Sequence, residues 1–114
     1  MARQGDVLIA KRRLGFGAPG RAEHFVVLQS DAFADSLDTV VVVPLDEAYR
    51  IHETDPLAVR VMPTEVGSGS TQFALVALMT SAPLDRFERT AAGRRRARSL
   101  ARVKALVGTL LDLS

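Results

Sequence analysis

The chain has 114 residues, 47% apolar and 25% charged, with 8 Gly and 5 Pro, which describes one small folded domain, neither disordered nor fibrous. With no Cys and only two His it excludes disulfides, thiolate catalysis, zinc ribbons and a multi-histidine metal centre, so no metal and no cofactor is expected. The formal charge of +2 conceals basic ends around an acidic middle. Residues 1–30 carry five basic against two acidic side chains, 31–85 two against nine, and 86–114 eight against two. Such a chain can hold a polyanion on one patch and repel it elsewhere.

In chain order, Asp6 to Lys11 predicts a first strand, built on Val7-Leu8-Ile9-Ala10 and entered from Gly5. Arg12 to Glu23 holds three Gly and one Pro, which break helix and sheet alike, so it reads as a loop carrying Arg12, Arg13 and Arg21. His24 to Gln29 predicts a second strand. A polar connection follows, with Ser30 and Asp31 suited to capping a short turn. Thr39 to Leu45, with four consecutive Val, predicts a third strand that Pro44 closes. Leu57 to Met62 alternates as a half-buried strand, and Thr71 to Thr80 reads as one long central strand. Ser81-Ala82-Pro83 is suited to starting a short helical turn. Leu100, Val103, Val107 and Leu110 recur at helical spacing, with Leu106 and Leu111 widening the stripe, and predict a terminal amphipathic helix. The fold class is therefore mainly β (α+β), one domain over residues 1–114, a barrel of antiparallel strands covered by a helix. No apolar run approaches the roughly 18 residues of a membrane span, and the polar start leaves no room for a signal-peptide core. A cytoplasmic protein without membrane contact is expected.

Three stretches carry a resemblance. Gly5-Asp6-Val7-Leu8-Ile9-Ala10 is similar to the strand that begins the MazF/PemK toxins. Val26-Val27-Leu28-Gln29-Ser30-Asp31 resembles their next strand and turn, and Thr39-Val40-Val41-Val42-Val43-Pro44-Leu45 the strand after that. The chain also ends, as they do, in a leucine-rich helix. The sister CcdB gyrase poisons are matched by Phe25 to Asp31, by Val43-Pro44-Leu45 and by Met79 to Pro83, but they end in a Trp-Gly-Ile signature and this chain has no Trp. The resemblance implies an SH3-like barrel with a C-terminal helix, a homodimer and a cognate antitoxin partner. It further implies a bacterial toxin–antitoxin module whose toxin cuts single-stranded RNA without a metal and leaves a cyclic phosphate. The alternative it leaves is a CcdB-like gyrase inhibitor without nuclease activity.

Metal-free cleavage needs a group to take the 2′-hydroxyl proton, a group to protonate the leaving oxygen, and cations to hold the phosphorane charge. The resemblance expects an Arg-Pro pair where this chain has Glu23-His24, and a Thr where it has Asp46. Candidate catalytic residues are therefore Arg21, two positions upstream of the missing Arg, with His24, Glu23 and Asp46. His24 has the imidazole suited to acid–base work, although a lone His at a strand start is more often a surface residue. Glu23 can orient His24 or act as base, but neighbouring strand residues face opposite sides. His52 has no matching motif around it. Arg12 and Arg13 are candidate phosphate contacts, Phe16 a candidate base-stacking ring that could equally fold back onto the barrel, and Gln29 a further candidate RNA contact. The arginine-rich C-terminal segment suits nucleic acid or, preferably, an acidic antitoxin that folds as it binds.

Overall fold

The computed structural model describes residues 2–16, 22–47, 50–61, 71–89 and 99–113. Its elements are β1 (Val7–Ala10), β2 (His24–Val27), β3 (Thr39–Glu47), α1 (Arg50–Glu53), β4 (Ala58–Val61), β5 (Gln72–Leu75), β6 (Thr80–Pro83), β7 (Phe87–Arg89) and α2 (Leu100–Leu110). All seven strands join one antiparallel sheet in the order β4-β5-β3-β2-β1-β7, with β6 also paired to β3.

β3 is the spine of this sheet. One edge pairs with β2, while the other pairs with β6 over residues 39–42 and with β5 over residues 45–47. Pro44 does not close the strand, as the sequence suggests, but lies buried inside it. It stands where the strand changes partners from β6 to β5, a place that tolerates a residue without an N–H. The expected long strand over 71–80 is likewise two strands. A 3₁₀ turn at Val76–Leu78 separates β5 from β6, and residues 81–83 lie in β6, which leads straight into a 3₁₀ turn at Leu84–Arg86, so the expected helical turn follows Pro83, its N-cap, and does not include residues 81–83. Phe87–Arg89, unexpected from sequence, pairs with β1.

Alternation along the strands sorts the apolar residues onto two faces. On one face Val7, Val26, Val43, Leu45, Val59, Val61, Ala74 and Val76 pack against Leu100 and Val103 of α2. The Ser99 hydroxyl donates to the Arg60 carbonyl at 3.1 Å and pins the start of α2 to β4. On the other face Leu8, Phe25, Val27, Val40, Val42, Ala82 and Phe87 are covered by Leu14 and Phe16 of the loop that follows β1. The expected closed barrel is thus corrected to an open sheet, ending at β4 and β7 among the described residues. A helix on one face and a loop on the other bury both apolar sides, so burial is satisfied without closing the edges.

α2 ends as the sequence predicts for a leucine stripe, but its tail differs from its start. Leu100 and Val103 are buried, whereas Leu110, Leu111 and Leu113 are exposed. The turn after it is a Schellman motif: Leu113 N–H donates to the Gly108 carbonyl at 2.8 Å and Asp112 N–H to the Thr109 carbonyl at 3.2 Å. Asp112 takes the left-handed conformation, φ 57°, that this motif requires.

Candidate functional site

On the loop-covered face an acidic, an aromatic and a basic side chain stand side by side across three strands. Asp46 of β3 pairs with Phe73 of β5, and Phe73 with Arg60 of β4, so the three share one face. Continuing the β2–β3 register one step beyond His24 and Leu45 sets Glu23 opposite Asp46. The two positions where the resemblance expects Arg and Thr are therefore neighbours.

Glu23 is a scaffold in this arrangement. Its side chain is only 3% exposed, and its two carboxylate oxygens accept the backbone N–H groups of Leu14 and Phe16. Arg13 adds a guanidinium nitrogen 3.9 Å from the same carboxylate and donates to the Phe16 carbonyl at 3.0 Å. The acid thus shapes the loop and does not orient His24. Phe16 folds back: its ring meets Phe25 edge-on at 5.8 Å and packs half-buried against the core, the second of the two placements the sequence leaves open.

His24 lies on the opposite face, paired with Ile9 and with Leu45, which belongs to the cluster that α2 covers. Its Nδ1 is buried without a hydrogen-bond partner among the described residues. Burial pushes its pKa below the ordinary imidazole value, while a backbone hydrogen bond with Ala22 acts in the opposite direction. A neutral imidazole turned to the helix side of the sheet is separated from Glu23 and Asp46 by the sheet itself.

Asp46 is engaged on both oxygens. Oδ1 accepts the Glu47 N–H at 2.9 Å, and Oδ2 lies 2.9 Å from Nε2 of His52, which α1 carries. The His52 and Asp46 side chains are 13% and 14% exposed, neither sealed from solvent nor free in it. The His52 ring rests against Phe73, centroids 5.8 Å apart, and the Arg60 guanidinium lies over the same ring at 5.7 Å. No motif in the sequence marks His52. Its one signal is position: it is the other histidine of the chain, six residues after Asp46.

Arg12 is exposed and lines a shallow 290 Å³ cleft with Lys11, Asp85 and Arg86, which makes that rim of the loop basic. Gln29 lies beyond the far end of β2, about five residues or roughly 16 Å of strand from His24, and the structure does not bring it to the site. Arg21 lies outside the described residues. No group of three or more potential metal ligands occurs among the described residues, and no described helix is long and apolar enough to cross a membrane.

This antiparallel sheet with a C-terminal helix packed on one face and a loop on the other is similar in fold to MazF toxins. Neither a family model nor a curated protein matches the sequence. Among solved structures, MazE–MazF from Deinococcus radiodurans is similar with a TM-score of 0.71 and 20% identity, over 98% of this chain and 97% of that one. An endoribonuclease bound to its cognate antitoxin, from a mycobacterial species, is similar with a TM-score of 0.68 and 19% identity, over 100% and 98%. The Mycobacterium tuberculosis toxin MazF-mt6 is similar with a TM-score of 0.68 and 16% identity, over 96% and 98%. At these identities the likeness is one of fold.

Proposed function

We propose that this chain is the toxin of a bacterial type II toxin–antitoxin module, a metal-independent endoribonuclease that cuts single-stranded RNA in the cytoplasm. The observation that carries the reading is the near-complete, end-to-end fold likeness to MazF toxins combined with the meeting of positions 23 and 46 on one face. Asp46 marks the reacting centre. Arg12 and Arg13, with Arg21 from the same loop, supply the cations that a phosphate backbone needs. The 2′-hydroxyl attacks its own phosphate, so the product is a 2′,3′-cyclic phosphate and a free 5′-hydroxyl. A homodimer would deepen the shallow surface into a groove, and a cognate antitoxin, the partner bound to two of the similar structures, would occupy it. Those neighbours favour RNA over gyrase as the target.

The test is to incubate the purified chain with long mixed-sequence RNA in EDTA and to read the new ends. Cuts at discrete sequences, bearing cyclic phosphate and weakened by Arg12→Ala, Arg13→Ala or Arg21→Ala, are expected. Intact RNA, or gyrase-dependent DNA breaks in its place, would overturn the reading.

A further inference from the structure

We infer that the RNA runs across the strands of the sheet, its phosphates held on one side of Asp46 by Arg60 and on the other by the cleft of Lys11, Arg12 and Arg86. The inference rests on the ribonuclease reading above and adds the path of the substrate to it.

The strand register draws this path. Arg60 pairs with Phe73, Phe73 with Asp46, and Ala10 with Phe87, while the Ala10 N–H donates to the Glu23 carbonyl at 3.1 Å. With Glu23 opposite Asp46, positions 60, 73, 46, 23, 10 and 87 form one row from β4 to β7 on the loop-covered face. Neighbouring strands lie about 4.8 Å apart, so Arg60 starts about 10 Å from Asp46, and Phe87 about 14 Å from it in the opposite direction. The row spans about 24 Å, room for several nucleotides and not for one alone.

Cations stand at both ends. Arg60 is exposed, and its guanidinium lies over the Phe73 ring at 5.7 Å, which carries it from β4 toward Asp46. A guanidinium stacked on a ring keeps its N–H edge for a phosphate oxygen. At the other end the Lys11 N–H donates to the Arg86 carbonyl at 2.8 Å, which sets both residues just past Ala10 and Phe87. With Arg12 they line the 290 Å³ cleft, three cations against Asp85. Arg86 also lines an adjoining 300 Å³ hollow with Leu14, Phe16 and Ser81, which brings it onto the loop-covered face. Among the described residues, Arg60, Lys11, Arg12 and Arg86 make no ion pair. Such cations are ready to replace the counterions of a phosphate backbone.

The middle of the row needs these anchors. Glu23 is buried beneath the loop, so the RNA crosses over the loop and meets the sheet surface at Asp46. A carboxylate there repels a phosphate, and cations on both flanks supply the attraction that the centre lacks. Holding the backbone at two ends also stretches it across the centre, where one anchor would let it swing away. A strand lying along β3 would meet neither anchor, and the two paths are separable by experiment.

The cut made by the full chain in mixed-sequence RNA in EDTA is mapped first, and short RNAs centred on it are trimmed from the 5′ or the 3′ side. Cleavage is measured for the parent, Arg60→Gln, the double variant Lys11→Gln/Arg86→Gln, and Arg3→Gln, whose exposed charge precedes β1 at the end opposite Lys11. Binding is measured across a salt series on the same RNA with 2′-deoxyribose at the cut. The salt slope is expected to fall by about 0.7 for Arg60→Gln and by about 1.4 for the double variant, one contact and two, and to stay unchanged for Arg3→Gln. Arg60→Gln becomes indifferent to trimming on one flank and the double variant to trimming on the other, because each has already lost the contact that the trimmed nucleotides make. These side chains are exposed, so thermal melts of the variants stay close to that of the parent. A parent that cuts, while both variants lose sensitivity to the same flank or neither loses any, overturns the inference alone. So does a salt slope that Arg3→Gln lowers as much as Arg60→Gln. A parent chain that cuts no RNA overturns the ribonuclease reading and this inference with it.

Discussion

Replacing Glu23 with Gln distinguishes a scaffold from a catalyst at the position where an arginine is expected. The carboxylate is 3% exposed and satisfies two backbone donors at once. Gln brings one acceptor oxygen and one NH₂ group, so one of the two N–H groups then faces a donor. A hydrogen bond to a charged group contributes about 1.5–3 kcal/mol, and a buried donor left unpaired costs about 1–3. The two effects overlap, because they describe the same N–H, and Leu14 and Phe16 are only half-buried, so water reaches the freed group. The net loss is then about 2 kcal/mol, rising to about 3 for Glu23→Ala, which orphans both donors. Urea unfolding followed by far-UV circular dichroism reads this directly: with a slope of about 1.5 kcal/mol/M, the Gln midpoint falls by roughly 1.3 M. A midpoint shift under roughly 0.3 M, with activity abolished, would refute the scaffold argument and return Glu23 to the chemistry.

Three further expectations follow from the packing. His24 has a folded-state pKa below its ordinary 6.5 because burial favours the neutral ring, so the unfolded chain binds more protons just below that value. Stability is therefore full above pH 6.5 and declines as the pH falls toward the folded pKa; denaturant midpoints measured across pH 5–8 should show this slope, and His24→Leu should flatten it. Val103→Ala removes two methyl groups from the interface of α2 with β4 and should cost about 2 kcal/mol in the same unfolding assay, against a near-zero effect if α2 were undocked. Asp112→Gly relieves a left-handed residue in the Schellman turn and should raise stability by about 0.5–1 kcal/mol, visible as a higher melting temperature.

Much of the sheet was legible because its cause is local. Val7 to Ala10, His24 to Val27 and the valine run of β3 are rich in β-branched and apolar residues and bounded by Gly or polar turns. The division between β5 and β6 was not, since Val76, Ala77 and Leu78 are apolar and fit a buried strand as well as a tight turn. β7 carries Glu88 and Arg89 in three residues, too short for alternation to register. The site divides the same way. Positions 23 and 46 could be named from the resemblance, yet their roles depend on partners that leave no sequence signal: two backbone N–H groups for Glu23, and for Asp46 a histidine brought back by one turn of helix. Phe16 fits either an exposed or a folded-back placement on its glycine-rich loop, and the Phe25 ring decides between them by giving it an apolar neighbour.

The pairing of β1 with β7 has a kinetic consequence. Residues 8–10 find their outer partners at 87–89, and β3 completes both its edges only with residues 72–83. Contacts so distant along the chain demand loop closure before any reward, which slows folding toward the millisecond-to-second range of all-β domains. On the ribosome neither the outer strand nor the helix-covered core can assemble until residues near 89 and then 100–103 have emerged. The face bearing Asp46 and Arg60 therefore forms only after translation of most of the chain, leaving an interval in which the protein exists but its site does not.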